Sequence, residues 1–227
     1  MRDVILFMTS RRHIHACEIK DQLDLCRKVL TDDYDAIRRV CKETVEDERR
    51  NGVKYFEMSL NPFTVLTEET PENVKNLVQS IIESLKNSCD SEEVDFGIIL
   101  QVYSSMSEEK TSLILDLCKE LEEVVGIELT LPYLFPQNET EDLIKPNDFD
   151  LFEQAKKLGI HRSVVISPLF PPKVVFESIE NLGTDRIVLG YSVVQDKTLL
   201  ADCIANRIHF CTIPLMSSKF SKIYLYH

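Results

Sequence analysis

A chain of 227 residues, 44% of them hydrophobic, can bury one sizeable core, and its length suits a single α/β barrel better than a set of small domains. A formal net charge of −12 argues against binding along a nucleic-acid backbone, which needs clustered lysines and arginines; the pairs Arg11-Arg12 and Arg49-Arg50 read as solvated faces. Seven cysteines without a CxxC pair argue against a cysteine-built zinc site and for reduced thiols in a cytoplasmic protein. The apolar run Val4-Ile5-Leu6-Phe7-Met8 is too short for a membrane span.

Residues 1–30 read as an irregular N-terminal segment. Within it, His13-Ile14-His15 has the alternation that would turn two imidazoles to one side of a strand, which makes His13 and His15 weak metal candidates; a solvated turn is the preferred reading. A helix starts at Thr31-Asp32-Asp33, lines Ile37, Val40, Cys41 and Val45 along one face, and stops at Asn51-Gly52. A strand over 53–59 follows directly. Pro71 opens a helix carrying Val74, Leu77, Val78, Ile81, Ile82 and Leu85, and 96–102 is the next strand. A helix from Ser107 leads to a strand over 124–130. The segment 131–148 reads as an irregular excursion, rich in proline and acid, before a helix over 149–158. Strands near 163–167, 186–190 and 208–213 are joined by helices over 172–181 and 196–206.

Strand alternating with helix is the repeating unit of a parallel sheet, so the expected fold is an α/β, parallel (β/α) TIM-like barrel over 31–217, followed by a C-terminal tail at 218–227. Six such steps fall short of the eight that close a barrel, so the barrel is expected to be partial or to have irregular first and last strands. The runs 4–8 and 222–226 are the candidates for the outer positions.

Several stretches, in the right order, resemble the adenosine deaminases of the metal-dependent hydrolase superfamily. Gly52-Val53-Lys54-Tyr55-Phe56-Glu57-Met58-Ser59 resembles the family's "GVxYxExR" strand, with Ser59 where arginine is usual, and Val124-Val125-Gly126-Ile127-Glu128-Leu129 resembles "VxGxDL". Gly159-Ile160-His161-Arg162-Ser163-Val164-Val165-Ile166-Ser167-Pro168 is similar to "GIHRTVHAGE", whose second histidine binds zinc and whose glutamate donates a proton to the purine ring. Val165 stands at that histidine and Pro168 at that glutamate. Thr184-Asp185-Arg186-Ile187-Val188-Leu189-Gly190-Tyr191 resembles "TERLGHGY", with Leu189 at the histidine that polarises the attacking water. His209-Phe210-Cys211-Thr212-Ile213-Pro214 resembles "HFExCP", keeping the proline. His13-Ile14-His15 matches the opening "HxH" only formally, because it lies too close to the Glu57 strand and lacks the "LDG" tail.

The resemblance implies a TIM barrel, zinc as the family's cofactor, and a purine nucleoside as substrate. The replacements at Val165, Pro168 and Leu189 imply that this chain has lost the zinc, has no catalytic residues of the family type, and persists as a binding or interaction protein with a nucleoside or a protein as partner. Substrate-binding residues are not readable. Neither nucleic acid nor membrane is an expected partner, while open sheet edges predict a homo-oligomer. The alternative is an active hydrolase, either with a site relocated onto Glu57, Glu128, His161 and Cys211 or as part of a longer product. The mouth of the barrel is expected to be apolar through Val165, Ile166, Leu189 and Ile213, and to be filled by residues 131–135.

Overall fold

The computed structural model describes residues 24–104, 106–131, 143–168 and 170–213. Six strands alternate with helices: β1 (Tyr55–Leu60), β2 (Asp95–Tyr103), β3 (Val124–Thr130), β4 (His161–Ile166), β5 (Arg186–Leu189) and β6 (His209–Cys211). Helices α1 (Tyr34–Arg50), α2 (Pro71–Glu92), α3 (Glu108–Glu120), α4 (Pro146–Lys157), α5 (Pro172–Glu180) and α6 (Lys197–Ala205) fill the intervals. All five strand pairings are parallel and the spatial order is β1-β2-β3-β4-β5-β6, which is the partial TIM-like barrel expected.

Local chemistry sets the element ends. The Asp33 carboxylate accepts the Ala36 N–H at 2.9 Å and opens α1, and Gly52, at φ +77°, turns the chain from its end toward β1. Thr70 caps α2 through the Asn73 N–H, with Pro71 in the first turn where its missing N–H costs nothing.

Alternation along the strands separates two environments. Ile98, Leu100, Val102, Ile127, Leu129, Val164, Ile166 and Ile187 point outward and pack with Val74, Leu77, Leu85, Ile114, Leu117, Phe152 and Val175 of the helices, so the main core lies between sheet and helices. The residues between them point inward and are largely polar. Arg186 on β5 pairs with Glu57 on β1. Those strands stand four places apart in the order, roughly 19 Å in a flat sheet, so the ion pair and the curl of the sheet go together.

Several boundaries differ from the sequence reading, β1 starting at Tyr55 rather than 53 and β4 at His161 rather than 163 among them. Residues 24–30 are helical, inside the segment read as irregular. α4 begins three residues early, because Pro146 fits its first turn and the Asp148 carboxylate accepts the Lys145 N–H at 2.8 Å. β6 stops at Cys211, since the Ile213 N–H turns to the Tyr191 hydroxyl at 2.6 Å. His13, His15 and the runs 4–8 and 222–226 lie outside the described residues. No helix among the described residues is long and apolar enough to cross a membrane.

Candidate functional site

The C-terminal ends of parallel barrel strands converge on one mouth, where barrel enzymes place their chemistry. Val165 sits at that level on β4. It lies two residues past Ser163, whose hydroxyl reaches Glu128 inside the barrel, so Val165 shares the inward face. It is 7% exposed, beside Thr130 on β3 and Val188 on β5. Pro168 is half-buried in the turn that follows.

Leu189 ends β5 with φ +69°, a left-handed conformation that a branched side chain adopts at a cost of about 1–3 kcal/mol. Gly190 follows at φ +49°, and a Cβ there would collide with Ile187 Cγ2, so the strand end has room only for glycine. Tyr191 then opens a 3-10 helix to Gln195 that the sequence reading did not anticipate.

The expected apolar mouth needs correction. Ile166 faces the helices, fully buried in the outer core, because alternation puts it opposite Val165. Ile213 is 45% exposed. Two buried hydroxyls, Thr130 Oγ1 at the end of β3 and Ser192 Oγ after β5, have no hydrogen-bond partner among the described residues. Leu131 is buried and donates its N–H to the Val165 carbonyl at 3.3 Å, but residues 132–135, the rest of the expected filling segment, lie outside the described residues. The helical stretch 24–30 reaches the mouth, where Arg27 donates to the Tyr103 hydroxyl at 3.3 Å.

These side chains do not fit a zinc ion. Zinc takes imidazole, thiolate or carboxylate, and Val165 and Leu189 offer no lone pair, while the neutral hydroxyls of Thr130 and Ser192 are poor substitutes. Among the described residues no group of three or more His, Cys, Asp and Glu is arranged to hold a metal. Pro168 has no proton to transfer.

Deeper in the barrel the side chains are polar and joined. Glu128, 5% exposed, accepts from Ser59 Oγ at 2.7 Å, Gln101 Nε2 at 2.8 Å and, more weakly, Ser163 Oγ at 3.4 Å. Glu57 accepts from the Tyr55 hydroxyl at 3.0 Å and pairs with Arg186. Burial pushes the Glu57 carboxyl up, but the Arg186 hydrogen bond and charge, with help from Tyr55 and His161, outweigh it and hold the group below the ordinary glutamate range. Burial raises the Cys211 thiol, which also feels Arg186, Glu128 and Glu57, so it is not poised as a thiolate nucleophile.

At the floor, a cavity of about 240 Å³ is lined by Glu57, His161, Arg162, Ser163, Arg186 and His209. Of the residues proposed for a relocated site, Glu57 and His161 meet here; Glu128 and Cys211 do not line this cavity. Arg162 is occupied by Asp185 at 2.6 Å and by the Gly183 and Ile160 carbonyls, which ties β4 to the turn before β5. The sequence reading missed Arg186, Ser59, Gln101 and Ser163. A polar residue at every second position of an otherwise apolar strand is the signal that would have found them.

The adenosine deaminase family model matches residues 7–224. Adenosine deaminase of Salmonella dublin is 26% identical over 220 residues, covering 91% of this chain and 62% of that protein. That of Xenopus laevis is 26% identical over 200 residues, covering 82% and 53%. The chain thus spans less than two thirds of the length of the curated relatives it matches. Among solved structures, adenine deaminase from Arthrobacter aurescens superposes with a TM-score of 0.71 at 18% identity, over 90% of this chain and 60% of that one. The apo N6-methyl-AMP deaminase from Arabidopsis thaliana gives 0.64 at 16%, over 91% and 69%. At these identities the superpositions speak for the fold alone.

Proposed function

The chain belongs to the adenosine deaminase family, and from that premise we propose that it is a member that does not deaminate and persists by binding a purine nucleoside or a protein partner in the cytoplasm. One observation supports the reading: the ends of β4 and β5 carry Val165, Pro168 and Leu189, which by the motif resemblance stand at the family's metal ligand, proton donor and polarising histidine. A general acid or base typically contributes about 10²–10⁴-fold, and proline supplies neither. The relatives named for adenosine, adenine and N6-methyl-AMP favour a purine as the small-molecule ligand. Thr130 Oγ1, without a partner among the described residues and in register with Val165, gives the end of β3 a group able to hydrogen-bond such a ligand. The same reading has a second copy of the chain pair with the open sheet edges.

The test is a metal analysis of purified protein, run beside an adenosine-to-inosine assay and a calorimetric titration with adenosine. Substoichiometric zinc and no inosine are expected, with or without binding heat. Turnover that a chelator abolishes and added zinc restores would overturn the reading and favour the active alternative.

A further inference from the structure

The geometry points to a closure device inside the barrel: the Glu57–Arg186 ion pair, seated beside the Glu128 hub, fixes edge strand β1 against β5 and so sets the curl of the sheet. Backbone ladders alone do not do this. The β1–β2 ladder fixes the register of β1 against one neighbour, from Tyr55↔Asp95 to Leu60↔Leu100, and leaves the angle between strands free to vary over a wide range. Side chains crossing the interior remove that freedom. Ser59 and Gln101 bind β1 and β2 to Glu128 on β3, Ser163 adds β4, and Arg186 brings β5 to Glu57 on β1, so five of the six strands meet through two carboxylates.

Charge makes Arg186 the member that the others depend on. The interior holds two carboxylates, Glu57 and Glu128, and Arg186 feels both. Glu128 is satisfied by neutral donors, which spread its charge without cancelling it. The Arg186 and Glu57 side chains are 29% and 22% exposed, so water screens them only in part. Removing the guanidinium leaves Glu57 without its hydrogen-bonded cation, with His161 as the weaker remaining pull, beside the Glu128 carboxylate. The side of β1 away from β2 has no ladder partner among the described residues, so the strain is relieved by β1 swinging outward.

The ion pair belongs to the scaffold, so the effect of removing it is read without any nucleoside. Hydrogen exchange is measured on Glu57→Gln, Arg186→Gln and the double variant. Each single change is expected to speed exchange at 55–60 about tenfold while 124–130 keeps its protection, and the double variant is expected to be no worse than either single, because both remove one interaction. Equal loss of protection in both strands, additive effects in the double variant, or unchanged exchange at 55–60 would each overturn the device. Should Arg186→Gln fail to fold, Glu57→Gln, which keeps a hydrogen-bonding amide in place, carries the comparison between the two strands.

Discussion

Val165 and Glu57 are both inward-facing strand residues, and their surroundings predict opposite responses to charge. Val165 is buried beside Thr130 and Val188 with no cation in register, so Val165→Asp sets a carboxylate without a counter-charge in a buried niche where the Thr130 hydroxyl is the polar group in register. The expected loss is about 2 kcal/mol or more, less whatever protonation relieves, read from denaturant melts at pH 7. Glu57 has its cation. Its folded pKa lies below the ordinary value of 4.5, so the stability it contributes is fully present above that value and is lost as pH falls through the lower folded pKa. Glu57→Gln should therefore flatten the fall in stability on the acid side of pH 4.5; an unchanged acid limb would mean that the ion pair with Arg186 does not persist in solution. The motif resemblance singles out Val165, Pro168 and Leu189, because motif positions are counted along the chain. The sequence hid the partnership of Glu57 with Arg186, because periodicity says which face a residue takes, and curvature says which strands meet across it.

Strand and helix order could be read directly, since each switch from alternating to helical spacing is local and each is punctuated by a cap such as Asp33 or Thr70. The end of β5 could not. A leucine at φ +69° followed by a glycine is a backbone feature that composition does not announce, and it turns the chain into the helix at Tyr191–Gln195. Gly190→Ala is expected to cost about 2 kcal/mol, because the new methyl meets Ile187 Cγ2 and the backbone stays left-handed. Thermal unfolding checks it: a melting temperature equal to the parent's would mean that the β5 end relaxes to another backbone shape. The inward placement assigned to Ile166 failed for a related reason. β4 is buried on both faces from Ser163 to Ile166, and apolar residues on both sides erase the contrast that alternation depends on.

At the scale of the whole molecule the sheet is a curled arc of six described strands, with β1 and β6 as its two edges among the described residues. They are unequal edges. β6 has three residues, and its successor Ile213 already gives its N–H to Tyr191, which blunts that side. β1 has six, Tyr55-Phe56-Glu57-Met58-Ser59-Leu60, with neither lysine nor proline inside it and with Tyr55 51% exposed. An edge of that length, with no strand beside it among the described residues, is a template for another strand, and two copies meeting β1 to β1 would pair antiparallel about a two-fold axis. Light scattering across a concentration series is then expected to show the parent chain passing from monomer to dimer. Tyr55→Lys, which puts a cation on each copy at the contact and leaves the apolar core untouched, is expected to stay monomeric. A parent chain that remains monomeric throughout would place the cover of β1 within its own residues and remove the second copy from the proposed partners.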